Sequence, residues 1–479
     1  MNGDRLSSPF RIRPLAGCLA IVLGIGGSAA FGQTAAATHA RATSGFRDAL
    51  RTALPAHRGR AKKAAPASRR GSAIDSPACT ETWLRDALTN ALTGDTVTIP
   101  LDCSRISLTA GAIPIAADDL DFVGPGADAF TLDGGAPYGF HDRVLTHLGS
   151  GTLTISGMTI ANASVADDAT PNGGCISSSG TVDLVDSVVT NCSLHTANAS
   201  AFGGAIYAQT VNLHSSTVTA NTVQSETNLS FGGGIFSLNG LDIEGSTISD
   251  NIALASPVSF SEAGGASSAN GAVKIIDSTL SGNEAMHFAG LLVSYGTSVE
   301  ITNSTISGNT ASVDIGGAAL YAPATISNST IAFNASGPGD IAPGILAGGP
   351  LTAQSSIFAN NTTSSGDEID VYAVSGPIVG EKNLIVSTSS QPPADTKTAC
   401  PRLGPLADNG GPTKTHALLP GSPAIDNGEN PLNLQFDQRQ AGFQRTYGDS
   451  KFKTDIGAYE WQGDAGDEIF LSRFETACD

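Results

Sequence analysis

A short string recurs along the chain at a nearly constant interval. It reads as an apolar-x-apolar pair, then Ser-Thr-Ile or a close variant, then Asn, a connecting stretch and a Gly-Gly step. Clear copies run from Leu213 through Ser216 and Thr217 to Asn221, and from Ile243 through Ser246 and Thr247 to Asn251. Others run from Ile275 through Ser278 to Asn283, from Ile301 through Ser304 to Asn309, and from Ile326 through Ser329 to Asn334. Weaker copies end at Asn162, Asn191 and Asn360, and the steps between these Asn residues are 29, 30, 30, 32, 26, 25 and 26. A unit of this length cannot bury an apolar face alone; it does so by stacking on its neighbours, which makes the chain a solenoid.

The residues inside each unit select the kind of solenoid. Val211-Asn-Leu213, Leu241-Asp-Ile243, Val273-Lys-Ile275 and Val299-Glu-Ile301 alternate with period two and are rich in β-branched residues, a strand signature. No unit holds ten residues at helical spacing. Gly203-Gly204, Gly232-Gly233-Gly234, Gly264-Gly265 and Gly316-Gly317 mark bends or close backbone approaches. The expectation is an all-β chain: a right-handed, pectate-lyase-like parallel β-helix of about 11–13 coils, the hand following the general rule for parallel crossovers. The recurring Asn is expected to stack one strand spacing apart, each side-chain amide donating to the next. Asn162, Asn191, Asn221, Asn251, Asn283, Asn309, Asn334 and Asn360 are thus read as one structural ladder.

Residues 1–32 read as a secretory signal, with Arg5, Arg11 and Arg13 before an apolar run and small residues before Gln33. Residues 33–75 read as a basic disordered linker, able to touch an anionic envelope surface. Residues 1–70 hold 12 of the 25 basic residues and 2 of the 44 acidic ones, leaving 13 and 42 for the remainder. So acidic a body repels nucleic acid and anionic sugars. Calcium is compatible with that charge, but no EF-hand or nonapeptide calcium motif is present, and no Cys/His spacing suits another metal. No cofactor is expected, and the chain reads as a monomer. Six cysteines follow the signal, and export permits their oxidation; Cys79–Cys103, Cys175–Cys192 and Cys400–Cys478 are the expected pairs.

The body divides into a β-helix over 76–400, a C-terminal coil and irregular cap over 401–462, and a tail over 463–479. Thr80 to Leu92 has the apolar spacing of a short capping helix, with Trp83, Leu84, Ala87, Leu88 and Ala91 on one face. The stretches between each Asn and the next Gly pair are long at 163–172, 192–202, 222–231 and 252–263, and short at 284–289 and 310–315. Stacked insertions form a shelf on one side, and Asp167, Asp168, His195, Glu226 and Glu262 on it are the candidate binding residues.

Catalysis finds little support. A lyase acting on uronic acid polymers needs a strong base and cations, yet Lys274 is the only Lys or Arg from 144 to 381, against 18 Asp and Glu. A hydrolase needs two carboxylates at a set separation. Asp167/Asp168, Asp183/Asp186 and Asp242/Glu244 are candidate pairs, although alternation turns Asp183 and Asp242 outward, and no catalytic residue is assigned.

The least repetitive text lies at 403–460. Leu403-Gly-Pro-Leu-Ala-Asp408-Asn-Gly-Gly-Pro-Thr413-Lys-Thr-His416 continues to Ala-Ile-Asp426 and is followed by Asp437-Gln-Arg439 and Asp455-Ile-Gly-Ala-Tyr-Glu460. These strings resemble the choice-of-anchor Q family of bacterial exported β-helix proteins. Cys79-Thr-Glu-Thr-Trp-Leu-Arg-Asp-Ala-Leu88 is similar to the CSLREA cap motif, and the Gly-Gly-Ala and Asn repeats resemble those of chlamydial polymorphic outer membrane proteins. Asp467 to Glu475 resembles a short sorting tail of exported proteobacterial proteins. The resemblance implies export to the outer surface or surroundings of a Gram-negative bacterium, with membrane association only through an anchor or the basic linker. Asp408, Asp426, Asp437, Arg439 and Asp455 read as turn and salt-bridge residues. Together these features point to a non-enzymatic adhesin or glycan-binding protein whose partners are envelope components, glycans or other cells. A glycoside hydrolase acting on a neutral polysaccharide and a purely structural envelope component are the alternatives.

Overall fold

The computed structural model describes residues 78–136, 141–166, 170–338, 342–447 and 453–463. The expected signal, the basic linker, Asp167, Asp168, Cys478 and all but the first residue of the tail lie outside these residues. The described residues belong to one compact unit spanning 65–479.

Each coil is built from short parallel strands, and a central one shows the pattern. Ile206–Ala208 and Thr210–His214 run nearly end to end, Thr217–Thr219 follows a bend, and Thr222–Ser225 and Leu229–Phe231 leave and return before the next Gly step. Equivalent strands pair in parallel and in register, as Val211 with Leu241 and Val218 with Ile248. The first two strands of most coils, merged into one over Ala266–Ile276 and Leu291–Thr302, form a 19-stranded sheet, and the third forms an 11-stranded sheet. The fold is therefore a parallel β-solenoid of about ten turns among the described residues. Alternation puts Ile206, Val211, Leu213, Val218 and their counterparts into one continuous apolar core. Glycine is required where coils meet most tightly: a Cβ on Gly204 would lie 2.1 Å from the Gly233 carbonyl oxygen.

Helix α1 spans Glu81–Thr89, shorter than the expected Thr80 to Leu92, because Thr80 is its N-cap and accepts from Trp83 N. It lays Leu84, Ala87 and Leu88 over the first coil, and the Cys79–Cys103 disulfide ties its base down. Cys175 is bonded to Cys192, and Cys400 is disulfide-bonded as well.

The amide ladder runs through Asn221, Asn251, Asn283, Asn309, Asn334 and Asn361. Asn221 Nδ2 donates to Asn251 Oδ1 at 2.9 Å, Asn283 to Asn309 at 2.8 Å and Asn334 to Asn361 at 2.8 Å. The second amide proton reaches a carbonyl of an earlier coil, as from Asn283 to Ile248 O at 3.0 Å. Asn162, Asn191 and Asn360 do not belong to this ladder. They stand one residue earlier in the coil, at φ 59°, 54° and 58°, where other coils have Ala220, Asp250 or Gly282. Asn tolerates this left-handed turn better than other side chains do. The ladder position itself is occupied by Ala163, Cys192 and Asn361 in those coils, and Cys192 N donates to Asn221 Oδ1 at 2.9 Å.

A second ladder, of hydroxyls, is formed by the Ser of the Ser-Thr-Ile string. Ser216 N donates to Ser246 Oγ at 2.9 Å and Ser246 N to Ser278 Oγ at 3.0 Å, and the row continues through Ser304 and Ser329 to Ser356.

The C-terminal residues are not stacked as a further coil with a cap at the end. The end of the solenoid is covered by 387–397, through bridges from Val371 to Thr388 and Leu384 to Lys397. Residues 403–447 and 453–461 instead lie along the outer face of the 11-stranded sheet. That face presents Ser and Thr hydroxyls, and the segment bonds them. Gln438 holds Thr279 Oγ1 at 2.9 Å and Thr305 Oγ1 at 2.6 Å, and Ala458 N donates to Thr330 Oγ1 at 3.0 Å. Asp437 and Arg439 form a buried ion pair at 2.6 Å. The Arg439 guanidinium lies 3.8 Å from the ring centres of both Phe443 and Tyr459.

Candidate functional site

The stretches expected to be long loops are mostly strand. Ser193–Thr196, Thr222–Ser225 and Ile252–Ala255 join an 8-stranded sheet, and Ala201–Phe202, Leu229–Phe231 and Phe260–Glu262 form a 3-stranded one. Each excursion leaves along one sheet and returns along the other. Leu194, Val223 and Ala253 on the first sheet share a small apolar core with Ala201 on the second. The shelf is thus a two-layered flange with its own packing.

His195 and Glu226 meet on the outer surface of this flange, Nε2 to Oε1 at 3.2 Å, and both are well exposed. They form a solvated pair. Glu262 belongs to different company. Three residues ahead of Ala205, Gly234, Gly265, Gly290 and Gly317, successive coils carry Phe202, Phe231, Glu262, His287 and Asp314 in one column, aligned by parallel pairing of Phe202 with Phe231, Phe231 with Glu262 and Glu262 with His287. The column leans on the outer face of the 19-stranded sheet. Phe202 and Phe231 stack at 5.6 Å, and both reach Phe236 on that face.

At Glu262 the column changes from aromatic to ionisable. Loss of hydration pushes the Glu262 carboxyl up to about 7, with His287 opposing and Asp314 adding to the rise. His287 Nδ1 is bonded to Asp314 Oδ2. Burial alone would lower the imidazole, but that bond and the charges of Asp314 and Glu262 raise it. Tyr321 borders the same group: burial, then Glu262 and Asp314, hold its hydroxyl above the usual range. Ser267, fully buried, follows Phe236 by one coil on the sheet face, and its hydroxyl has no hydrogen-bond partner among the described residues. Phe260 is 36 % exposed at the rim, with its ring 6.1 Å from that of His287. Among the described residues no group of three or more His, Cys, Asp or Glu could hold a metal ion.

A second concavity lies on another flank, between the outer face of the 11-stranded sheet and the hairpin of Leu403–Ala407 and Thr415–Leu418. It is an open cleft of about 770 Å³. Thr247, Ser249 and Ser281 form its floor; Phe333 and Pro412 give it apolar walls; Asp250, Asp408 and Lys414 stand at its rim. His416 closes the back. Its Nδ1 donates to Gly404 O at 2.7 Å, so its Nε2 accepts from Ser307 Oγ at 2.8 Å. Burial pushes this imidazole down to about 4. A Ser–His pair resembles an activated nucleophile, but this one is wholly buried and its base is weak; it pins the hairpin to the sheet as Gln438 does.

The other carboxylate pairs do not converge. Asp183 accepts from Asn212 at 2.5 Å, and Asp242, Lys274 and Glu300 neighbour one another in register along the outward row of the broad sheet. Asp186 occupies a left-handed turn at φ 47°. Asp437 and Asp455 serve the buried C-terminal network, and Asp426 pairs with Lys453 at 3.5 Å.

His287, Asp314, Tyr321 and Ser267 were absent from the sequence-based candidates. Aligning the coils on their Gly steps is the signal that brings the first two into line with Glu262.

Fold and sites define a parallel β-solenoid with a lateral β-flange and a C-terminal segment docked on its flank. Comparisons with family models, curated proteins and solved structures gave no match.

Proposed function

We propose that this chain is an exported or surface-displayed β-solenoid that binds neutral glycans of a cell envelope or of other cells. The observation that carries the reading is the 770 Å³ cleft under the hairpin, floored by hydroxyls and walled by Phe333 and Pro412. Sugars present hydroxyls on their edges and C–H groups on their faces, and a site with polar floor and apolar walls meets both. The acidic body disfavours anionic polymers. The resemblance of 403–460 to exported β-helix proteins supports the location.

A second reading, hydrolysis of a neutral polysaccharide, is favoured by the Glu262 carboxyl, which burial raises to about 7 and so keeps partly protonated at neutral pH. The test is retention of the full chain on immobilised dextran, glucomannan and hydroxyethyl cellulose, on polygalacturonate, and on cell walls, with sugar release scored in parallel. Retention on a neutral polymer without release is expected, weakened about tenfold by Thr247→Trp, which projects a large ring into the cleft. No retention on any neutral polymer, or retention indifferent to Thr247→Trp, sinks the cleft reading; release of reducing ends favours the hydrolase.

A further inference from the structure

We infer that Glu262, His287 and Asp314, with Phe260 at their rim, form a second sugar-binding subsite, so that one chain bridges two glycan strands. The inference rests on the neutral-glycan reading for its ligand class, but not on the cleft. The two places belong to different flanks, one against the 19-stranded sheet and one against the 11-stranded sheet.

The column shows why this is a site and not ordinary packing. In two coils the position is filled by Phe202 and Phe231, each about 1 % exposed, packed on Phe236. A continued row of Phe would have sealed the flange against the sheet. The chain instead places Glu262, His287 and Asp314 in the next three coils, where His287 and Asp314 keep 18 % and 24 % side-chain exposure. In register with Phe236, the next coil of the sheet face carries Ser267, whose buried hydroxyl has no hydrogen-bond partner among the described residues. A buried hydroxyl without a partner is costly, and a ligand hydroxyl supplies one.

The chemistry suits a neutral pyranose. Carboxylates accept from vicinal hydroxyls, the imidazole N–H donates to a ring or hydroxyl oxygen, and an exposed aromatic face covers the C–H side of the ring. Phe260 at 36 % exposure supplies that face. Successive coils repeat at ~4.8 Å, close to the length of one sugar residue, so the three polar side chains address adjacent units of an extended chain.

Bridging is read by mixing the full chain with soluble neutral polymer at increasing ratios and following light scattering, with retention on immobilised polymer measured separately. Wild type is expected to give a scattering maximum at an intermediate ratio, where both subsites are filled by different strands. Phe260→Ala and Asp314→Asn are expected to abolish the maximum while retention falls only a few-fold, since the cleft still holds one strand. Thr247→Trp is expected to abolish the maximum and leave the retention that depends on Phe260. Scattering by Phe260→Ala and Asp314→Asn equal to wild type overturns the second subsite while leaving the cleft reading intact. Loss of retention in Thr247→Trp alone, with Phe260→Ala unaffected, does the same. Sugar release abolished by Glu262→Gln overturns it in favour of catalysis. Unchanged circular dichroism and melting temperature show that each variant is folded.

Discussion

The side-chain amide of Asn361 donates to Asp370 Oδ1 at 2.7 Å, so the Asn ladder ends on a carboxylate. The same oxygen accepts Asn361 N at 3.1 Å, and the other accepts Ser387 N at 2.9 Å. Burial nevertheless raises this carboxyl to about 7, the hydrogen bonds opposing only in part.

Asp370 therefore binds a proton in the folded chain at pH values where the unfolded chain has lost it. A raised carboxyl contributes stability that is fully present below its unfolded value and disappears as pH rises through the folded one. Glu262, also raised to about 7, and Glu460, raised to about 9, act in the same direction. Denaturant midpoints measured between pH 5 and 8 are expected to fall as pH rises. The decline should be shallower in Asp370→Asn, which carries no titrating group at the ladder's end; parallel curves for the two proteins would contradict this.

His416 has the opposite sign. Its folded value of about 4 lies below the ordinary 6.5, so the unfolded chain takes up protons first as pH falls. The stability it contributes is present above 6.5 and is lost toward 4. Since His416 pins the hairpin to Ser307, hydrogen exchange in 403–418 is expected to quicken between pH 6.5 and 4.5 before the core strands respond. His416→Gln should remove that early step.

The two kinds of Asn should separate on mutation. Asn283→Leu strands the amide and N–H of Asn251 and the Ile248 carbonyl, at a cost of about 3 kcal/mol or more from several buried unpaired groups. Asn191→Gly changes only a left-handed turn and should alter stability by no more than about 0.5 kcal/mol. Equal losses in urea titrations would show that the ladder register described above is wrong.

Asp437 is the sole carboxylate in salt-bridge contact with Arg439 among the described residues, and it also accepts Glu460 N at 2.8 Å. Asp437→Ala leaves a guanidinium buried between Phe443 and Tyr459 with its charge uncompensated. Losing one partner of a buried pair costs about 3–5 kcal/mol. Limited proteolysis should then cut within 430–460 before the solenoid, whereas Asp408→Ala, on an exposed turn, should leave the pattern unchanged.

The solenoid was legible because alternation in Val211-Asn-Leu213 and its copies is a local signal repeated at one period. The ladder was legible in kind but slipped by one residue at Asn162, Asn191 and Asn360. Asn satisfies both a left-handed turn and an amide stack, and composition does not tell the two demands apart. Thr222-Val-Gln-Ser225 alternates as a strand should, yet the varying length of the excursions hid the flange. The ionisable column was harder still, since Phe, Glu, His and Asp share no chemistry and only the coil register relates them. Docking of the C-terminal segment joins Gln438 to Thr279 across 159 residues, and no local pattern encodes such a partner.

The Asn ladder has a direction. Each bond of the ladder, from one residue to the next Asn oxygen, runs toward the C-terminal end, starting at Cys192 N, whose residue is locked to Cys175, and ending on the oxygen of Asp370. A duplicated or deleted segment of gene encoding one whole coil between Asn221 and Asn361 hands its donor to the same acceptor and leaves the row unbroken. The same event at either end separates the first donor from its covalent clamp or the last from its carboxylate. Length in such a protein can drift from the middle, while its two termini are inherited as a matched pair.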